Sequence, residues 1–261
     1  MYDLVALDRE LAGTIFAGKL HFSSVTGSTN ADALAAARDG APHGSVFLTD
    51  EQTAGRGRGD HTWQSVAGEG LYVSALLRPD IVPAYLPMIP LTAGLAAAWA
   101  VGVAAGLNVD IRWPNDLLLG DRKTGGILVE SRTDVNGAAF AVIGIGINVH
   151  QQGFDPNLST PATSLDIEAG HTISRQALLI ALLKSLEQEV RGLFDSVVVA
   201  AIPARVALMS TWIWNRSVEV HGPQACVGIT AGLDANGFLL VRTDRGIVTV
   251  QTGGIRAAQV E

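Results

Sequence analysis

Two short stretches of this chain concentrate side chains suited to handling anions. Residues 52–65 read QTAGRGRGDHTWQS, where glycines alternate with Arg56 and Arg58 and Trp63 follows. Alternating glycines let a backbone approach a ligand closely and leave its N–H groups free for anions. The two guanidinium groups add forked donors matched to phosphate and carboxylate. Residues 111–130 read IRWPNDLLLGDRKTGGILVE. Trp113, Pro114, Asn115 and Asp116 set an aromatic, a rigid turn, an amide and a carboxylate side by side, and Lys123 follows. A lysine beside Asp and Asn can pair with a phosphate and polarise a carboxylate. Neither stretch is a Walker A loop or a Rossmann fingerprint. Each also has a plainer reading, the first as a solvated surface loop, the second as an Asx turn with Lys123 as a hairpin charge.

The whole chain narrows these choices. Its 261 residues suffice for one large domain, or one domain and a small one. With 48% hydrophobic and 16% charged residues it can bury a large core. A formal net charge of −7 disfavours a bulk nucleic-acid binder. Arg56 and Arg58 therefore read as a local site. The single cysteine, Cys226, cannot form an internal disulfide or a Cys-rich zinc site, and it reads as a small buried residue in a strand. A reducing, cytoplasmic setting fits. The N-terminal MYDLVALDRELAG lacks the apolar run of a signal peptide. The uncharged residues 81–109 are rich in Ala and Gly and are broken early by Pro83, Pro87 and Pro90. They read as a buried helix from near Pro90, not a membrane span. The scattered histidines carry no metal-ligand pattern.

The elements that must position the two stretches are legible in outline. After GSTN, ADALAAARD predicts a helix with Thr29 or Asn30 as N-cap and Gly40 just past its end. Residues 45–52 and 70–78 read as strands, 91–106 as a helix and 109–113 as a short strand stopped by Pro114. LLLGDRK, GGILVESR and residues 138–149 predict three strands of an antiparallel meander, with LGDR and DVNG as its turns. Residues 174–194 form an amphipathic pattern with Leu178, Leu182, Leu186, Val190 and Leu193 on one face and Ser174 as cap. A further helix near 197–209 contains Pro203. After Trp214, SVEVHG, ACVGITAG, GFLLVRT and IVTVQTG predict four short strands and a small barrel.

GSTN (27–30), EQTAGRGRG with Trp63, RWPNDLLL with DRKTGGILVE, IGIGINV (143–149) and ATSL (162–165) occur in the order seen in biotin–protein ligases. The chain resembles that family along essentially its whole length. The resemblance implies an α+β fold: a central mixed or antiparallel sheet with helices, like class II aminoacyl-tRNA synthetases, and a small C-terminal SH3-like β-barrel. It implies a catalytic domain over 1–212 and the barrel over 213–261. It implies activation of biotin by ATP to biotinyl-AMP, with Mg²⁺, then transfer of biotin to one lysine of a biotin carboxyl carrier protein. In that resemblance Ser28, Thr29, Asn30 and Gln52 match positions that hold biotin. Arg56, Gly57 and Arg58 match the loop that closes over biotin and the adenylate, and Trp63 matches its shielding aromatic. Lys123 matches the lysine that meets the biotin carboxylate and the α-phosphate. Gly125, Gly126 and Ile127 match the pocket lining, and Asn115, Asp116 and Asn148 match polar residues near nucleotide and metal. Asp116 is also a candidate proton acceptor in the transfer step. Residues that would ligate the metal are not identified. Two rival readings are a lipoate–protein ligase or octanoyltransferase, and a non-catalytic biotin or nucleotide sensor. No membrane partner is implied, and monomer and homodimer stay open.

The chain departs from the family pattern at two places. The stretch before GSTN is too short for the DNA-binding module of bifunctional members, so the expectation is a ligase that binds no DNA. Many members also carry a third arginine before the tryptophan, where this chain has Gly59, Asp60, His61 and Thr62. One cation fewer over a reactive acyl phosphate predicts faster loss of biotinyl-AMP than from a three-arginine enzyme. Stopped-flow dissociation checks this, and an equal or slower rate contradicts it.

Overall fold

The protein is described by a computed structural model covering residues 2–59, 61–78, 85–133 and 139–258. Asp60 and the expected DVNG turn lie outside the described residues. Seven strands form one sheet: β1 (Leu20–Thr26), β2 (Val46–Gln52), β3 (Gly70–Leu77), β4 (Asp110–Arg112), β5 (Asp116–Leu119), β6 (Arg122–Thr133) and β7 (Ala139–Asn148). Their order is β1-β2-β3-β7-β6-β5-β4. The β1–β2 pair is parallel and the others are antiparallel, so the sheet is mixed. The meander is present as β5, β6 and β7 in adjacent places. The expected LGDR turn is the Gly120–Asp121 turn between β5 and β6; the LLLGDRK strand ends at Leu119, and Arg122 and Lys123 already belong to β6.

Helices cover both faces. Behind the sheet lie α3 (Met88–Ala105), which is the Ala-rich run, and α5 (Arg175–Gly192). Small side chains let α3 lie close, with Gly94 over Ile111 and Ile127. It is long and apolar enough to cross a membrane, yet 67% of that stretch is buried inside the fold. Leu178, Leu182, Leu186 and Val190 are buried as the periodicity predicts, and the Ser174 hydroxyl caps α5 by accepting from Ala177 N. The helix α6 (Ser196–Leu208) contains Pro203 and packs on α3. In front of the sheet lies α2 (Thr29–Arg38), whose Ala33, Leu34 and Ala37 pack on Leu76, Phe140 and Val142. Its N-cap is Ser28, one residue before the expected cap, which turns Thr29 and Asn30 inward as first-turn residues. Helices α1 (Leu4–Glu10) and α4 (Leu165–Ala169) and strand β1 escape sequence reading, being short and weakly patterned.

A second, antiparallel sheet holds five strands, β8 (Trp214–His221), β9 (Cys226–Leu233), β10 (Leu239–Thr243), β11 (Gly246–Val250) and β12 (Gly254–Ala257). Their pairings run β11-β10-β9-β8-β12, with β12 added to the four strands read from sequence. This is an open order, and the described pairings do not close it into the expected barrel. Cys226 lies in β9 but is only half-buried. The inward face, with Val218, Val220, Leu239, Val241, Val250 and Ile255, joins the same hydrophobic core as the first sheet. At the junction the Trp113 indole N–H donates to Gly237 O at 3.0 Å, and the Gly237 turn rests on Met88 and Leu91. Replacing Trp113 with Phe keeps a ring but removes that buried bond. It should lower unfolding free energy by at least about 1 kcal/mol. An unchanged urea midpoint refutes it.

Candidate active site

The frontal face of the sheet carries glycines where side chains would otherwise stand. Gly126 on β6 pairs with Gly146 on β7, and Gly144 lies two residues earlier. Their missing side chains open a cavity of about 870 Å³ bounded by α2, residues 56–59 and 61–64, the β4–β5 turn and the β11–β12 turn. A Cβ at Gly144 would stand 2.1 Å from Asn30 Oδ1, and one at Gly146 would stand 2.6 Å from the Trp63 indole. The floor therefore excludes any side chain at either position.

The centre of the cavity is an ionic triad. Lys123 Nζ lies 2.5 Å from Asp116 Oδ1, and Arg112 Nη2 lies 2.6 Å from Asp116 Oδ2. Arg112 is buried, donates also to Thr160 Oγ1 at 3.0 Å, and stacks over Trp212. The spacing follows from topology: Arg112 ends β4, Asp116 opens β5, and Lys123 sits opposite Leu118 across the β5–β6 hairpin. The ATSL segment fixes the lysine backbone. Lys123 N donates to Pro161 O at 2.7 Å, and Thr163 N donates to Lys123 O at 2.9 Å. Asn115 clips the hairpin, since its Nδ2 donates to Ile127 O while Ile127 N donates to Asn115 O.

One end of the cavity is lined by neutral donors and acceptors. Gln52 Oε1 accepts from Thr29 N at 2.9 Å, and Gln52 Nε2 donates to Ser65 Oγ at 2.7 Å. Ser74 Oγ lies 2.8 Å from Thr29 Oγ1 and 2.6 Å from Asn30 Oδ1. A buried set of this kind suits a neutral polar ring. The roof is the glycine–arginine loop, held as a small hairpin by Gly57 N donating to His61 O and Trp63 N donating to Gly55 O. Arg56 Nη2 pairs with Glu130 Oε2 at 2.7 Å. Arg58 reaches the second sheet, where Nη1 donates to Gly253 O at 2.6 Å. Trp63 lies across the floor, with Lys123 Nζ 5.5 Å from its ring centre. Its buried indole N–H meets no acceptor among the described residues.

The sequence-derived residues converge with one exception. Ser28, Thr29, Asn30, Gln52, Arg56, Gly57, Arg58, Trp63, Asn115, Asp116, Lys123, Gly126, Ile127 and Asn148 all line this cavity. Gly125 does not. A Cβ there would meet Leu117 at 2.9 Å and Gly146 O at 3.0 Å, so it serves strand packing behind the wall. Residues that sequence reading passed over include Arg112, Ser74, Glu130, Gly144 and Gly146. Strand alternation offered a signal for one of them, because Gly126, Leu128 and Glu130 share a face.

The triad has a definite electrostatic character. Burial pushes the Asp116 carboxyl up, but Lys123 and then Arg112 outweigh it and hold the group below the usual carboxylate range. With a cation on each oxygen, Asp116 is arranged to orient Lys123, not to receive a proton from an incoming amine. Burial lowers the Arg58 guanidinium, opposed by nearby Asp116, and an arginine stays charged through such a shift. Because the folded value of Asp116 is depressed, its contribution is complete above the unfolded value of 3.8 and is lost as pH falls through the folded one. Asp116→Asn should thus cost about 3 kcal/mol at neutral pH. The gap from wild type should shrink below about pH 4. Denaturant titrations across pH check this, and a gap that widens in acid contradicts it.

Comparison with known proteins matches this arrangement. Residues 23–148 match the model of the biotin/lipoate A/B protein ligase family. The chain is 35% identical to the bifunctional ligase/repressor BirA of Bacillus subtilis, over 90% of this chain and 73% of that protein. It is 32% identical to the biotin–[acetyl-CoA-carboxylase] ligase of Mycobacterium tuberculosis, over 88% of this chain and 85% of that one. It superposes on the biotin protein ligase of Aquifex aeolicus in complex with biotin and ATP with a TM-score of 0.79. That match has 25% identity and covers 92% of this chain and 98% of that one. With glycine floor, neutral polar end, lysine triad and arginine roof in one cavity, the chain belongs to the biotin/lipoate A/B protein ligase family, among the biotin–protein ligases.

Proposed function

We propose that this protein is an ATP-dependent biotin–protein ligase. It joins biotin to AMP with release of pyrophosphate, then passes the biotinyl group to a lysine of a carboxylase's biotin carboxyl carrier protein in the cytoplasm. The observation that carries this reading is the cavity's polarity: a neutral hydrogen-bonding end at Thr29, Asn30 and Gln52, and a cationic centre at Lys123 and Arg112 on Asp116, with Arg58 also on the wall. Biotin has the same polarity, with a neutral ureido ring at one end and a carboxylate at the other. Residues 1–212 supply both ends, and residues 213–261 act as a second unit that closes the far side of the cavity.

The first step brings two anions together. A biotin carboxylate oxygen bonds to the α-phosphorus of ATP, and the bond to the pyrophosphate oxygen breaks. Lys123, oriented by Asp116, neutralises the carboxylate and the α-phosphate as they meet, which stabilises charge in the transition state. Arg56 and Arg58 screen the remaining oxygens from above. The glycine floor admits the acyl chain, and Trp63 keeps water from the mixed anhydride. Mg²⁺ supplies charge compensation on the departing phosphates when bound. No group of three metal-ligating side chains exists among the described residues, a donor set that fits an ion carried largely on the nucleotide's own oxygens. In the second step the carrier lysine nitrogen bonds to the acyl carbon, AMP leaves with the former anhydride electrons, and the amine proton passes to solvent.

The protein incubated with biotin, ATP, Mg²⁺ and a carrier domain should release AMP and pyrophosphate and biotinylate one lysine. Lys123→Gln should lower adenylate formation by about 10²–10³. Mass spectrometry of the carrier and pyrophosphate release read both. Lipoate accepted in place of biotin identifies the lipoate-ligase alternative, and binding without AMP release identifies a sensor.

A further inference from the structure

We propose that Glu130 is a positioning residue that ties the loop arginine Arg56 to the ring end of the cavity through one continuous hydrogen-bonded chain; this rests on the ligase reading above. The chain starts at Gln52, whose Oε1 meets Thr29 N at 2.9 Å. It continues from Thr29 Oγ1 to Ser74 Oγ at 2.8 Å and to Asn30 Oδ1 at 2.6 Å. Asn30 Nδ2 then donates to Glu130 Oε2 at 3.0 Å, the same oxygen that Arg56 Nη2 meets at 2.7 Å. Arg56 Nη1 lies 3.4 Å from the other oxygen, Oε1.

Three features make this more than a surface ion pair. The Glu130 side chain is only 15% exposed, whereas Arg56 is 44% exposed, so the carboxylate is the fixed partner. Asn30 holds that carboxylate from behind with both of its amide hydrogens in use: its Oδ1 accepts from Ser74, and its Nδ2 donates to both Leu128 O and Glu130. An amide so held cannot rotate without moving a neighbour. The middle of the chain is buried, where hydrogen bonds are electrostatically stronger and polarise one another. Gly144 is what lets Asn30 stand against the sheet at all. The loop is thereby pinned at two points in opposite directions, Arg56 on β6 and Arg58 on the β11–β12 turn.

A ring that takes a hydrogen bond from Thr29 Oγ1 or Asn30 Nδ2 must rearrange this chain, because the first donates to Gln52 Oε1 and the second to Leu128 O and Glu130. Rearrangement passes to Glu130 and so to the Arg56 guanidinium, which shares a Glu130 oxygen with Asn30. Occupancy of the neutral end is in this way coupled to the placement of the loop that carries Arg56 and Arg58.

Two measurements test the inference. In ligand-free protein, Glu130→Gln should speed trypsin cleavage after Arg56 several-fold, because the guanidinium is no longer held; an unchanged rate overturns the anchoring. In the reaction, Glu130→Gln should raise KM for biotin by about 10-fold while leaving kcat within about 2-fold, and should add almost nothing in an Arg56→Gln background. Equal effects in the two backgrounds overturn the coupling. Ser74→Ala, which cuts the chain without touching either charge, should raise the same KM in part; a wild-type KM also counts against it. Wild-type protein that forms no adenylate removes the ligase reading, whereas an active enzyme with additive variants removes this inference alone.

Discussion

The placement of one carboxylate governs the site. Asp116 carries Lys123 on one oxygen and Arg112 on the other, and together they outweigh the upward push of burial on its carboxyl. Lysine is a mobile point charge on a flexible stem, and a site that must bring two anions together needs that charge held still. Asp116 does this while its own carboxyl is held below the usual range, by Lys123 first and Arg112 second. Arg112 in turn is fixed by Thr160 and by the Trp212 ring, so the triad reaches the segment that links the two sheets.

The second sheet follows from the same need. Its core is continuous with that of the first, and its turns reach the site at Gly237 on Trp113, at Gly253 on Arg58 and at residues 221–223. The roof of the cavity is thus suspended from both sheets. A loop hung between β6 and the β11–β12 turn takes its position from the packing of the whole chain, not from its own short sequence.

The cavity wall was largely legible in the sequence because its residues are chemically conspicuous. Arginine between glycines, lysine after WPND and the buried amides at Asn30 and Asn148 announce themselves by type. Gly125 was misplaced because adjacent residues on a strand face opposite sides, and the sequence does not say which glycine of the pair looks outward. Glu130 and Ser74 were missed for a related reason: their partners lie 74 and 44 residues away in the chain, at Arg56 and Asn30, and only the packing of the loop and of α2 on the sheet brings them together. The N-cap moved to Ser28 because the first turn of α2 has its polar groups claimed by Gln52 and Ser74, a tertiary demand that local capping preference does not contain. The meander and α5 read correctly because turn residues and periodicity are local. Four of the five strands of the second sheet were legible for the same reason, whereas closure into a barrel depends on how distant edges meet and the described pairings do not show it.

A wall built from absent side chains has an unusual inheritance. Glycine is the smallest residue, so every mutation at Gly144 or Gly146 adds atoms where Asn30 and Trp63 already stand. Drift at these positions has one direction only, toward a narrower slot. A lineage that came to use a bulkier acyl group would have to enlarge the space elsewhere, at Leu128 or Trp63, whose side chains still have something to give up. The floor sets an upper limit on the acid this site can hold, and the residues around it decide how far below that limit it stays.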